Sequence, residues 1–293
     1  MNDTVFRETG FMKIVDTHCH YNMEPLYSGK PFIFKLKEDD PVLKMTWQDH
    51  WHKAQEKGVA GSIIVGTQIE TVNRAFAIAA QEPNLLVSVG VHPGHAHEVT
   101  IEQLDQAGKT WAGKKFHAVG ETGLDFFRLD RASNDFETLI EQQKKIFRWH
   151  IQFAQTHNVP LILHVRDKDD QTYWDILEIM KQEYKSNKPF VLHCASGPLD
   201  YIKQAVEMGG YIGFDGNITY PNAVNIRDLV KSVPADQLMI ETDAPFLAPQ
   251  GYRGGICEPW MISETAKYVE KELGLNLNQI FENTKLFFNH SFE

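Results

Sequence analysis

The feature that most limits what this chain can become is an alternation running almost its full length: short apolar, β-branched runs separated by longer amphipathic segments. Repetition of this kind implies βαβ units, because parallel neighbours in one sheet need a crossover and a helix supplies it. Strands are expected at 13–18, 59–66, 85–92, 117–121, 159–164, 190–193, 211–214 and 238–243. Helical stretches are expected near 47–57, 70–81, 100–112, 134–157, 170–186, 198–209, 223–232 and 260–273. Eight such pairs match a closed (β/α)8 TIM barrel better than an open doubly wound sheet, which usually has about five or six strands.

The apolar strands end, one after another, in residues able to bind metal: His18 with His20, Glu121, His164, His193 and Asp243. A barrel gathers all its C-terminal strand ends on one face, so residues spread between positions 18 and 243 converge there. His18 and His20 are two apart, which puts both on one side of an extended strand. Neutral imidazole suits Zn²⁺, Ni²⁺ or Mn²⁺, and carboxylates also accept Mg²⁺, so the set describes a metal site of open identity. Any one of these could be a hydrogen-bonded structural residue; six together would be costly to bury without ligands. Asp243 is followed at once by Ala-Pro, and its place suits a general base on water, with a turn or cap role as the bland alternative.

Composition narrows the class. At 293 residues, with 42% hydrophobic and 23% charged, the chain has the make-up of a soluble enzyme, and 1–293 reads as one barrel domain. Within it, 1–12 is an N-terminal extension, and 21–45 is an inserted loop expected to overhang the active-site face. No apolar run is long enough to span a bilayer and the opening residues lack a secretory pattern, so no membrane role and a cytoplasmic location are expected. Cys19, Cys194 and Cys257 form no C-x-x-C pair, which argues against a disulfide framework or a thiolate zinc cluster. The formal charge of −10 disfavours broad attraction to nucleic-acid phosphates, but not a cleft made locally positive by metal ions. Nothing implies an obligate protein partner.

The segments DTHCH (16–20), VGVHP (89–93), GETGLD (120–125), HVR (164–166), HCASG (193–197), ETDAP (241–245), RG with EP (253–254, 258–259) and NTKLFF (283–288) occur in order over nearly the whole chain. Together they resemble the TatD family of metal-dependent nucleases, within the amidohydrolase-like superfamily. The resemblance implies a (β/α)8 barrel that hydrolyses phosphodiester bonds as a deoxyribonuclease or 3′-end exonuclease, acting on DNA ends or a small phosphodiester. Carried over by motif, His18, His20, Glu121 and Asp243 would hold one divalent ion and Glu121, His164 and His193 a second. Glu121 would be the bridge, and Asp243 the catalytic base on a water activated by both ions.

Further residues are weighed with their structural alternatives. His92 could touch a substrate phosphate or buttress the mouth. Arg166 could clamp a phosphate oxygen or pair with a carboxylate, and Arg253 and Glu258 could bridge to each other or touch substrate. His95 and His97 read as solvated surface, Asp16 as a residue orienting a ligand histidine, and Cys19 and Cys194 as small core residues facing the helices. Trp47, Trp51, Phe147 and Phe153 recur at helical spacing and read as core. Ala195 and Cys257 stand where relatives usually carry an aromatic and Asn, and 21–45 is long for the family. The same binuclear barrel could serve a small amide, lactone or phosphoester, and a non-catalytic metal-binding protein is the rival from another class.

Overall fold

The computed structural model describes residues 13–32 and 36–292; the extension 1–12 lies outside the described residues. Eight strands run β1 Ile14–Cys19, β2 Val59–Val65, β3 Leu85–Val89, β4 Ala118–Asp125, β5 Leu161–Arg166, β6 Phe190–Leu192, β7 Gly210–Phe214 and β8 Leu238–Ile240. All neighbouring pairs are parallel and the sheet order follows the chain order. The ring is nearly closed where β1 meets the end of β8: Cys19 bridges Ala244, and the His20 and Asp243 amides donate to Ala244 and His18 carbonyls at 2.9 Å. This is the (β/α)8 barrel expected from the alternation.

Nine helices surround it among the described residues: α1 Trp47–Glu56, α2 Ile69–Ala79, α3 Ile101–Ala112, α4 Phe136–His157, α5 Gln171–Glu183, α6 Leu199–Glu207, α7 Val224–Ser232, α8 Ile262–Leu273 and α9 Leu277–Phe288. The strands are apolar on both faces because both are covered. One set of residues, including Ile64, Leu85, Val87, Leu161 and Ile212, packs outward with the helices. The alternate set, Val15, Ile63, Val65, Leu86, Ala118, Ile162, Val191 and Met239, forms a separate inner cluster. Helix α9, absent from the sequence reading, contributes Phe287 and Phe288 to that inner cluster, with Phe292 beside them. Trp47, Trp51 and Phe147 are core as expected, and Phe153 is half-buried, stacked on Trp149 with ring centroids 4.9 Å apart.

Two strands break strict alternation, and both breaks serve the mouth of the barrel. In β1 a register shift falls between Asp16 and Cys19; in β4 one falls between Val119 and Thr122. One extra residue lets Val15 and His18, and likewise Ala118 and Glu121, point inward although each pair is three apart. Beyond its shift β4 runs on to Asp125, past the expected end at 121, because Thr122 to Asp125 pair with Leu163 to Arg166. Gly123 allows this: φ is +137°, and a Cβ there would meet the His164 carbonyl oxygen at 2.1 Å.

The 21–45 insertion is not a free overhang at its start. Tyr21, Asn22 and Leu26 are fully buried, Tyr21 against Trp51, and Asn22 Nδ2 donates to the Val65 and Thr71 carbonyls at 3.0 and 2.9 Å. Residues 37–39 are exposed. Among the described residues no helix is long and apolar enough to cross a membrane.

Candidate metal centre

Six side chains converge at the C-terminal ends of the strands. His18 closes the bulge of β1 and His20 follows it; Glu121 comes from β4 and His164 from β5. His193 follows β6, and Asp243 follows β8 at a residue with φ 55°, a left-handed conformation that Asp tolerates better than most residues. That turn is held by Asp16, whose carboxylate accepts from the Thr242 amide (2.9 Å), the Thr242 hydroxyl (2.6 Å) and the His18 amide (3.3 Å). Asp16 therefore positions backbone of β1 and β8, not the imidazole expected from alternation, because the bulge separates its face from that of His18.

Glu121 sits between two groups. Its Oε2 lies 3.4 Å from His18 Nε2 and 4.0 Å from His20 Nε2. Its Oε1 lies 2.7 Å from His164 Nδ1, 3.2 Å from His193 Nε2 and 3.6 Å from His92 Nε2. Asp243 Oδ1 adds to the first group at 3.3 Å from His20 Nε2 and 3.7 Å from His18 Nε2. Ligand-type atoms thus gather within 4.8 Å of one another as His18, His20 and Glu121, as Glu121, His164 and His193, and as His18, His193 and Asp243. His18 is fully buried with neither ring nitrogen hydrogen-bonded. An unpartnered buried imidazole between two carboxylates fits a divalent cation, for which this mixture of nitrogen and oxygen donors is suited.

The ligand rings are backed from behind. His20 Nδ1 lies 3.1 Å from the Val65 carbonyl, and His193 Nδ1 lies 3.1 Å from Glu241 Oε1, which also accepts the Cys194 amide at 2.5 Å. A carbonyl or carboxylate behind an imidazole fixes its tautomer and leaves the other nitrogen's lone pair facing the site. Glu241 was not singled out in the sequence, though ETDAP places it two residues before Asp243.

Charges follow from this packing. Burial works to raise the Glu121 carboxyl, but His92, His193, His18 and His164 outweigh it and hold the group well below the usual range. Burial likewise opposes ionisation of Asp243, and His20, His193 and His18 draw it down. His18 is pushed down by burial and by His193, whose ring stacks on it at 3.7 Å. His193 rises well above 6.5 because Glu241 and Glu121 overcome its burial. His92 is pushed down to about 3 by burial and by His164. Its Nδ1 accepts the Gly94 amide at 2.9 Å, so the proton of its neutral ring is on Nε2, facing Glu121.

The outer residues divide differently from the sequence reading. Arg166 is exposed, its guanidinium 4.2 Å over the Phe127 ring; Arg253 is exposed, 4.3 Å over the Tyr220 ring. Neither forms an ion pair among the described residues. Of the two roles weighed for Arg253 and Glu258, the mutual bridge is not formed: Glu258 takes Lys53 of α1 at 2.8 Å and lies 3.3 Å from His50, partners too distant in sequence to foresee. His95 pairs with Glu98 at 2.9 Å on the surface, as expected. Cys19 is core, but Cys194 is half-buried with φ 45° and Sγ 3.8 Å from Asn217 Nδ2, since β6 has already ended and alternation no longer applies. Asp125, also unforeseen as a site residue, forms a fourth group with His92 and His164.

Fold and site together define a metal-dependent hydrolase of the (β/α)8 class. The chain belongs to the TatD family: residues 15–293 match the family described as TatD related DNase. It is 28% identical to the uncharacterized metal-dependent hydrolase YabD of Bacillus subtilis over 94% of this chain and 98% of that one. It is 30% identical to YcfH of Escherichia coli, another uncharacterized metal-dependent hydrolase, over 93% of each. Among solved structures, the TatD homologue YjjV of Escherichia coli aligns with a TM-score of 0.76 at 26% identity, covering 95% of this chain and 98% of that one.

Proposed function

We propose that this chain is a phosphodiesterase acting on DNA ends, of the deoxyribonuclease or 3′-exonuclease kind, with two divalent ions bridged by Glu121. One observation carries the reading: the two oxygens of a single buried carboxylate face different histidine groups, Oε2 toward His18 and Oε1 toward His164 and His193. His18, His20, Glu121 and Asp243 would hold one ion, and Glu121, His164 and His193 the other. When bound, such a pair supplies Lewis acidity to a phosphoryl oxygen and lowers the pKa of water.

The chain's own groups then have distinct work. Asp243 is ionised and its side chain is 14% exposed against 4% for Glu121, so it is the carboxylate able to accept a proton from the attacking water. His92 donates from Nε2–H to a substrate oxygen as negative charge develops there. Arg166 and Arg253, each resting over an aromatic ring, present N–H groups to further phosphates. A cleft of about 290 Å³ lined by His92, Asp125 and Arg128 opens beside the centre. The larger hollow of about 850 Å³ lies between α3 and α4 and contains none of these residues.

The test is metal-stripped protein reloaded with Mg²⁺, Mn²⁺, Zn²⁺ or Ni²⁺ and assayed on single-stranded DNA, an aryl phosphodiester, and a set of lactones and amides. Cleavage of the diesters with two ion equivalents is expected. Cleavage confined to lactones or amides would move the activity to a small-molecule hydrolase on the same site.

A further inference from the structure

Asp125 ends β4 and has no part in the ligand set above. We propose that it is a positioning residue, which fixes His164 in the tautomer that offers Nδ1 to a metal, and that Gln143 of α4 locks Asp125 for this task. The inference rests on the binuclear reading.

The three ligand histidines that have a backing group are not oriented alike. His20 and His193 turn Nε2 to the carboxylates and rest Nδ1 on Val65 and Glu241. His164 is reversed: Nδ1 faces Glu121 Oε1 at 2.7 Å, and Nε2 points back to Asp125 Oδ2 at 3.4 Å. Both Nε2 and Oδ2 are buried and neither forms a hydrogen bond among the described residues, so the 3.4 Å approach pairs two otherwise unsatisfied atoms. The carboxylate itself has little freedom. Its Oδ1 accepts the Phe127 amide at 3.0 Å, and the Gln143 amide clamps the residue's backbone, accepting from its N–H at 2.8 Å and donating to its carbonyl at 2.9 Å. The Arg128 Nε is 3.9 Å from Oδ2 on a side chain that is 70% exposed, too distant to compete with an imidazole N–H.

A fixed, buried acceptor behind Nε2 keeps the ring proton there, which leaves the Nδ1 lone pair free. The same hydrogen-bond logic excludes a third ion between His92, Asp125 and His164. Gly94 occupies the His92 Nδ1 lone pair, so Nε2 carries hydrogen and is a donor, not a ligand.

The experiment uses the full chain with Zn²⁺. Long-range ¹H–¹⁵N correlation of the loaded wild type, with His164 assigned by an H164Q variant, should show Nε2 protonated and Nδ1 shifted by metal. Stepwise Zn²⁺ titration against a chromophoric chelator should show the Asp125→Asn variant losing about 10- to 100-fold in one step only, since an amide N–H facing His164 forces the opposite tautomer. Asn and Asp are isosteric; should the variant nevertheless fold poorly, the wild-type tautomer decides alone. Metal shift on His164 Nε2, or D125N binding two ions with wild-type affinity, overturns the proposal. So does selective loss of a third equivalent, which would make Asp125 a ligand. A wild type that binds only one ion would instead overturn the binuclear reading.

Discussion

Glu121 is the residue on which both halves of the proposed site depend, because among the described residues its two oxygens are not shared with any side-chain donor other than the histidines. In Glu121→Gln the amide N–H₂ would point at one histidine group and the bridging charge would be gone. Turnover is expected to fall by about 10³-fold or more, the equivalent of several kcal/mol of electrostatic stabilisation. Metal content, measured by atomic emission, should drop below two ions; a variant that keeps both would refute the bridging role. Asp243→Asn asks a narrower question. It preserves one oxygen for coordination and removes the proposed base, so kcat should fall by about 10²- to 10⁴-fold with metal content retained. Near-normal turnover in the fully metallated variant would remove Asp243 from proton transfer.

At the level of elements, Glu258 links a helix to the loop that follows the last strand of the barrel. With Lys53 and His50 it ties the segment after β8 to α1, and those partners outweigh its burial to hold the carboxyl at about 2. A carboxylate with a depressed folded pKa adds stability that is present above its unfolded value, 4.5, and is lost as pH falls through about 2. The shift corresponds to about 3 kcal/mol, so Glu258→Gln should lower unfolding stability at pH 7 by about that order in urea titration. Diester turnover at 25 °C should be spared, as Glu258 touches none of the converging ligands. Loss of turnover without loss of stability would return Glu258 to the substrate side.

The same contrast explains what could be read in advance. Strands and most helices were legible because burial on two faces demands continuous β-branched runs, and the convergence of strand ends follows from barrel topology. The bulges in β1 and β4 were not, because an inserted residue changes facing without changing residue type, and Asp16 was misassigned for that reason. Helix α9 carries a legible start, Asn276 capping the Asn278 and Gln279 amides at 3.0 and 3.3 Å, but NTKLFF was read only as a motif. Glu241 and Asp125 act through what lies behind a ligand ring, and a strand pattern does not specify that distance.

For the whole molecule, protons and metal compete for one buried site, with consequences that run in opposite directions with pH. In the metal-free protein His193 is held well above 6.5, so its pairing with Glu241 and Glu121 contributes stability that is full below 6.5 and is lost as pH rises through the raised value. Metal needs that imidazole neutral and the carboxylates ionised; Glu121 and Asp243, both drawn downward, stay ionised well into the acid range. The histidines therefore set the pH window, and metal affinity should rise with pH from below 6.5 until His193 is deprotonated, by about tenfold per pH unit for each proton released. Calorimetry with Zn²⁺ in buffers of different ionisation enthalpy counts those protons directly. The metal-induced rise in Tm should track the affinity, with ligand at about 100 times Kd adding about 2.7 kcal/mol, and should be larger at pH 8 than at pH 6. A rise in Tm that is the same at both values, with no proton released, would mean that the ion does not displace protons from these histidines and that the converging cluster is an ion-paired core with no metal centre.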